Sequence, residues 1–547
     1  MKKLKNPPDR KTAAAQAGDC NFFRNLSGFC IKPVYSIEDI AQLDEKTDLG
    51  RPGDYPYTRG VHETMYREKL WTIRQLGSLD SPSRANERIQ HLIGLGATGV
   101  SICFDMPTIM GRDSDDPLAE GEVGSCGGVA VDCLDDMRHL LDGIDLEAIS
   151  INFVSNSQSA VILAMFVAVA QERGVPLSAL SGTMQNDILK EYQAQKSYYF
   201  PPRESMRLTV DTIQYCSQHL PRFNPISISG YHLASAGATP VEELAFTLAN
   251  GFTYVAEAIK AGLDVDDFAP RLSFFFKAHN DIFENIAKLR AARRIWAKTM
   301  RQTFRAKDPR SLRCRIHTQT SGSSLTAQQA ENNIIRVALQ SLSAVLGGTQ
   351  SLHTNAYDES YSIPTPRSEK IALRTQQIIA HESGVINTVD PLAGSYYLEA
   401  MTDEMEKKCH GYFREIEKLG GVISAIEKGY FQHIIADSAF RYQREIETKA
   451  RIVVGLNAYV EQEDTEMEMR EIDAEFEKEK IANLRALKQN RDPHRVQACL
   501  ADIRRIAQTT QNLMPILVNA VEANTTLGEI IGVLREVFGE FREASVY

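Results

Sequence analysis

Six short stretches bring together side chains able to bind, polarise or move protons: Arg74-Gln75, Asp105, Gln185-Asn186-Asp187, Tyr231-His232, His317 with Gln319, and His353 through Glu359. Two chemistries suit these residue types. The histidines of "RIHTQT" and "SLHTN" stand as the ligands of a metal-dependent barrel hydrolase do, but no HxH or HExxH pair accompanies them and nearby carboxylates are few. Hydrogen bonding at one convergent polar site is the reading these residues favour.

Elements must hold these groups. Eight strand-like runs recur: "LWTIRQL" (70–76), "GVSICFDMP" (99–107), "AISINFVSN" (148–156), "ALSGTMQND" (179–187), "ISISGYH" (226–232), "RLSFFFKAHN" (271–280), "LRCRIHTQTSG" (312–322) and "TQSLHTNAYDE" (349–359). Their starts lie about 30 to 50 residues apart, the length of one βα unit. Intervening stretches such as "SPSRANERIQHLIGLGA" open near a Ser or Thr and close at a Gly, as crossover helices do. Eight consecutive parallel βα units close into a (β/α)8 TIM barrel, and the polar clusters fall at the strands' C-terminal ends, where such barrels carry function. An open doubly wound sheet is the alternative, but no Gly-rich phosphate-binding turn follows any run.

The strand interiors are informative because alternation has period two. If Ile226 and Ile228 face the helices, Ser227 and Ser229 line the barrel axis, and so do Ser101, Ser150, Asn152, Ser181 and Thr183. Barrel axes are ordinarily filled by Val, Ile and Leu. Buried unpaired hydroxyls would each cost about 1 to 3 kcal/mol, so a long polar ligand is expected to thread this axis unless the serines bond to neighbouring backbone.

Residues 1–50, punctuated by Pro, Gly and charge, read as an arm lying over another surface, such as a second subunit. Residues 51–400 form the barrel, and 401–547 a helical extension packed on the barrel or a partner, with a solvated charge run at 461–480. A net charge of −10 and a pI near 5.8 leave no basic excess for nucleic acid. Without an apolar run of about 18 residues or a signal-peptide segment, neither membrane insertion nor export is expected, and the location is read as cytoplasmic. Nine cysteines, odd in number and without a CxxC pair, suggest reduced thiols rather than a disulfide framework or zinc site.

The stretches "TMYREKLWTIRQL", "GTMQNDILKEY", "ISISGYH", "FAPRLSFFF", "HTQTSGSSLTAQ" and "GTQSLHTNAYDE" resemble the large, substrate-binding subunit of the adenosylcobalamin-dependent acyl-CoA mutases, the methylmalonyl-CoA mutase family. Similarity runs in the family's order from about Arg51 to Asn457. In that family the pantetheine arm of acyl-CoA threads the barrel axis. The resemblance implies a radical rearrangement that moves the thioester carbonyl group to the adjacent carbon, with adenosylcobalamin as cofactor. It implies that His232 hydrogen-bonds the thioester carbonyl. Thr183 and Gln185 would lie along the acyl-CoA, and Met65, Thr72, Arg74, Arg271, Ser273, His317 and Gln350 along the CoA chain or its phosphates. Phe104, Gln319, Asn355 and Glu359 would lie near the corrin or the adenosyl ribose.

Departures from the family bear on substrate. Where methylmalonyl-CoA mutases carry an active-site tyrosine and a carboxylate-clamping arginine, this sequence has Leu76 and Gln195. A second substrate carboxylate would sit unpaired, so an uncharged branched acyl group of isobutyryl, pivalyl or 2-hydroxyisobutyryl type is expected. Gln195 resembles the isobutyryl- and 2-hydroxyisobutyryl-CoA mutases, while Cys103 stands where the hydroxyacyl branch has aspartate. Lys69 and Ser323 replace a usual arginine and tryptophan. A methylmalonyl-CoA mutase large subunit with an altered acyl pocket is one alternative, and a non-catalytic CoA-binding scaffold is another. The family's DxHxxG cobalamin signature has its nearest counterpart in "DPHRVQ" (492–497), with Gln497 in place of glycine and 50 residues after it. A separate small cobalamin-binding subunit is therefore expected, in a heterotetramer of two large and two small subunits.

Overall fold

The computed structural model describes residues 23–361, 363–461 and 474–543. The first 22 residues of the arm and residues 462–473 of the charge run lie outside the described residues.

Each strand-like run yields a strand, because β-branched and aromatic side chains alternate there with small or polar ones. In chain order these are β1 (Thr72–Leu76), β2 (Gly99–Cys103), β3 (Ser150–Val154), β4 (Gly182–Met184), β5 (Phe223–Asn224), β6 (Ile226–Ser229), β7 (Leu272–Ala278), β8 (Arg315–Thr320) and β9 (Ser351–His353). All pair in parallel, in the order β5-β4-β3-β2-β1-β9-β8-β7-β6. β6 is the fifth expected strand, and β5, just before the expected run, extends the same stave and is split from it at Pro225, whose missing N–H cannot join a ladder. Ser227 N–H donates to the Gln185 carbonyl across the seam (2.9 Å), closing the sheet as an eight-staved barrel. The strands end earlier than their runs: Met106–Ile109 and Tyr231–Ser235 are short helices, so Asp105 and His232 sit at helix starts.

Local signals set the crossover helices. Ser81 accepts from the Arg84 N–H at the start of Pro82–Gly94, and Thr239 forms a capping box with Glu242 at the start of Pro240–Lys260. The outward strand residues Ile226, Ile228, Phe274, Phe276 and Ile316 are buried in the same apolar cluster as side chains of Pro240–Lys260 and Ile282–Gln302. Helix Ser159–Glu172 is apolar all round because Met514–Glu522 packs against it in a shared core with the strands.

The helical extension packs on the barrel itself. Tyr396–Lys418 lies against Ile282–Gln302, where Arg290 pairs with Asp390 and Glu399. The described part of the arm also lies on this chain: Leu26 and Ser27 N–H donate to Glu284 (2.9 and 3.0 Å), and the Tyr35 and Tyr397 rings are 4.9 Å apart. In "DPHRVQ", Asp492 caps Pro493–Ala507 by accepting from the His494 and Arg495 N–H groups. Cys103, Cys133, Cys216, Cys314, Cys409 and Cys499 are free thiols, whereas Cys30 is disulfide-bonded, so the reduced state expected throughout does not hold there. Among the described residues, no helix is long and apolar enough to cross a membrane.

Candidate active site

The barrel's inward face is predominantly polar. Register aligns Arg74, Gly99 and Ser150, then Leu76, Ser101, Asn152, Thr183 and Asn224. On the other half, Ser227, Ser273 and Arg315 align, then Ser229, Phe275, His317 and Ser351. Between them runs a cavity of about 1240 Å³ whose lining includes Met65, Thr72, Arg74, Thr183, Gln185, Ser273, His317 and Gln350. At the strands' N-terminal end it is lined by Arg51, Arg59, Lys69, Arg313 and Arg315, alongside Asp54, Glu63 and Glu68.

Neighbouring strands use part of this polarity. Arg74 donates to the Val100 carbonyl (2.7 Å), Ser150 Oγ (2.9 Å) and Ser351 Oγ (3.3 Å), and burial pushes its pKa down to about 10. Ser273 Oγ donates to the Ile226 carbonyl (2.9 Å), Asn152 to Ser101 Oγ (3.1 Å) and Asn224 to Thr183 Oγ1 (3.1 Å). Gln350 is tied to backbone, accepting from Ile316 N–H and donating to the Gly348 carbonyl. Among the serines expected on the axis, Ser101, Ser150 and Ser229 meet side chains of Asn152, Arg74 and His232, backbone bonding occurs at the additional Ser273, and the cavity remains open along the axis.

At the C-terminal end of the axis, Ser229 Oγ lies 2.8 Å from His232 Nδ1. A serine hydroxyl donating to Nδ1 fixes the tautomer that carries hydrogen on Nε2. Burial, with Lys190 and Lys277 nearby, holds the His232 pKa well below the usual imidazole range, so the ring is neutral. Gln319 donates to Asn355 Oδ1 (2.9 Å) and Tyr231 Oη (3.3 Å). Glu359 stands at the exposed mouth, its pKa pushed up to about 7 by surrounding protein and by Asp358. Leu76 ends β1 facing inward, half-buried.

Other expected residues lie elsewhere. Phe104 continues the outward parity of Val100 and Ile102 and is buried beside Phe153, ring centroids 6.4 Å apart. Arg271 is half-buried just before β7, and burial and the charges of Arg310 and Arg222 lower its pKa. Gln195 is exposed and accepts from the buried Lys190. Asp105 is a cap, accepting from Thr108 (3.0 Å) and Gly124 (2.8 Å) N–H groups, and Gln75 points outward to Thr354. Arg315, Asn224 and Lys277 were not singled out, although the alternation of "RIHTQT" and "LSFFFKA" puts Arg315 and Lys277 on the lumen parity. Among the described residues, no three His, Cys, Asp or Glu side chains gather as a metal site.

An eight-staved βα barrel with a polar axial passage, basic at one mouth and with a neutral histidine beside the other, is an enzyme scaffold with room along its axis for a long polar ligand. The family profile described as "Methylmalonyl-CoA mutase" matches residues 24–540, and the chain belongs to that family of cobalamin-dependent acyl-CoA isomerases. It is 47% identical over 546 residues to the "2-hydroxyisobutanoyl-CoA mutase large subunit" of Aquincola tertiaricarbonis, covering 100% of this chain and 95% of the relative. It is 44% identical over 519 residues to the "Methylmalonyl-CoA mutase" of Escherichia coli, covering 95% and 72%. With the mitochondrial methylmalonyl-CoA mutase of Homo sapiens it shares 41% over 517 residues, covering 94% and 68%.

Proposed function

We propose that the chain is the large subunit of an adenosylcobalamin-dependent mutase that rearranges an uncharged branched acyl-CoA, with isobutyryl- or pivalyl-type substrates ahead of 2-hydroxyisobutyryl-CoA. The observation that carries this reading is the polar passage along the axis with the Ser229–His232 pair beside its lining residue Phe275, which is in register with Ser229 and 5.9 Å from the His232 ring. CoA phosphates would meet the arginines and Lys69 at the lower mouth, and the pantetheine amides would pair with Thr72, Thr183, Gln185 and Ser273. His232 Nε2–H would donate to the thioester carbonyl, and a neutral imidazole donates without losing its proton. Leu76 would bound the acyl group from within the barrel, and Gln195, exposed but held by Lys190 close to His232, would meet it from the open upper mouth. Lys190, the buried cation nearest Gln195, is committed to Glu191 (2.7 Å), which leaves it unavailable to a second substrate carboxylate.

The residues at the upper mouth suit the cofactor's adenosyl ribose. Among the described residues Asn355 Nδ2 is buried with no hydrogen-bond partner, and a Cβ at Gly322 would come 2.9 Å from that nitrogen and 3.3 Å from Glu359 Oε1. Gln319, Asn355 and Glu359 would hold the ribose hydroxyls. When bound, adenosylcobalamin supplies the carbon-centred radical that takes hydrogen from the substrate. The barrel's part is to orient the acyl group and exclude water around it.

The cofactor's tail would be held by a separate small subunit in a cytoplasmic heterotetramer of two large and two small subunits. The relative named as a large subunit supports that division. The test is to combine the chain with candidate small subunits, adenosylcobalamin and a panel of acyl-CoAs, and to analyse product isomers. Turnover of isobutyryl- or pivalyl-CoA ahead of methylmalonyl-CoA is expected. Preference for methylmalonyl-CoA would overturn the substrate assignment, and no rearrangement of any acyl-CoA would leave a CoA-binding scaffold.

A further inference from the structure

Two cations beside the upper mouth have no role in that reading. Lys277, an inward residue of β7, is only 2% exposed. Its ammonium donates to the Ala234 carbonyl (3.3 Å), Ser235 Oγ (3.4 Å) and Ser323 Oγ (2.5 Å), all uncharged, and forms no ion pair among the described residues. It lines a second cavity of about 260 Å³, separate from the axial passage and walled on one side by helix Tyr430–Glu447. That helix brings in Arg441, which donates to Ser438 Oγ (2.9 Å) and likewise pairs with no carboxylate among the described residues. The two acids that line the cavity are matched, Glu243 accepting from Lys288 (2.5 Å) and Glu445 pairing with Arg451 (2.8 Å), while Glu242 behind Ser438 accepts from the Ser438 and Tyr412 hydroxyls (3.0 and 3.2 Å). The N-terminal end of Pro240–Lys260 also borders the space and adds partial positive charge.

We propose that this second cavity binds a small oxyanion, phosphate or carboxylate, between the Lys277 ammonium and the Arg441 guanidinium, with the hydroxyls of Ser235 and Ser323 completing its shell. The nearest carboxylate to the Lys277 ammonium, Glu243, is held by Lys288, so the buried charge is short of compensation, and burial pushes the Lys277 pKa down to about 7. A bound oxyanion supplies the missing charge through short, charge-assisted hydrogen bonds.

The test is thermal unfolding and calorimetric titration of the full chain with inorganic phosphate and, separately, acetate, at constant ionic strength. A saturable rise in Tm is expected, and the anion that saturates at lower concentration identifies the source. Lys277→Met should weaken binding about tenfold or more, and Arg441→Gln should weaken it too. Lys260→Met, at the exposed C-terminal end of Pro240–Lys260, should leave it unchanged. Lys277→Met should melt no lower than the wild type without added anion, because it removes a lone buried charge. A non-saturating rise shared by all variants, unweakened saturation in Lys277→Met, or a lower Tm for anion-free Lys277→Met would each overturn the proposal.

Discussion

Ser229 Oγ and His232 Nδ1 stand 2.8 Å apart across the turn that ends β6, a hydrogen bond that orients the imidazole and, where the hydroxyl donates, leaves the ring proton on Nε2. Ser229→Ala removes that support and should lower kcat about 10- to 100-fold, the usual cost of losing a histidine's orienting partner. His232→Ala, which removes the donor, should lower kcat about 100- to 1000-fold. In both, KM should move far less than kcat, since the interaction strengthens as charge develops on the carbonyl. Steady-state kinetics on the preferred acyl-CoA checks this; an unchanged kcat for Ser229→Ala removes the serine's role.

The two faces of the same strand should respond in opposite ways. Ser227 lines the passage, whereas Ile228 is fully buried against the helices. Ser227→Leu narrows the passage and should weaken CoA binding by calorimetry, with little change in Tm. Ile228→Ala leaves a cavity in the outer core and should destabilise by about 2 to 5 kcal/mol, with CoA affinity of the folded protein retained. Equal binding losses would mean that the parity of β6 is wrong.

What was legible in the sequence was what is local. Alternation marked the lumen serines, and Ser81 and Thr239 marked helix starts, because period and capping involve neighbours in the chain. The same parity already set Phe104 outward with Val100 and Ile102, and only the family resemblance had placed it near the corrin. Gln195 was not legible: the backbone widens into a π turn at Glu191–Gln195 and ends at Lys196 with φ 70°, which carries the side chain to the surface. Nor was the meeting of Lys277 with Arg441, which depends on the C-terminal helix packing back over the barrel mouth.

The acyl group should be read by Leu76 and Gln195 together. Leu76→Tyr combined with Gln195→Arg supplies the aromatic wall and the cation that methylmalonyl-CoA mutases carry at these places. The kcat/KM ratio should shift toward methylmalonyl-CoA by about 10- to 100-fold, because pairing a buried carboxylate is worth more than an added methyl group. Competition assays with mixed isobutyryl- and methylmalonyl-CoA measure the ratio directly. An unchanged ratio would place specificity elsewhere in the passage.

His353 makes stability depend on pH. It is 8% exposed at the end of β9, and burial, with Arg74 and Arg88 nearby, lowers its pKa to about 4. In the unfolded chain the ring takes up a proton below about 6.5, whereas the folded protein refuses it until about 4. Its contribution is therefore fully present above pH about 6.5 and is lost as pH falls toward about 4, at about 1.4 kcal/mol per pH unit. Raised carboxyls such as Asp187, pushed up to about 6 by burial, act with the opposite sign, so total stability does not isolate the histidine. His353→Gln, which cannot titrate, does isolate it. Urea unfolding across the acidic range should show the wild type losing about 3 kcal/mol relative to His353→Gln between pH about 6.5 and about 4. Parallel stability curves would show that His353 titrates in the folded barrel as it does in the unfolded chain, with no depression of its pKa.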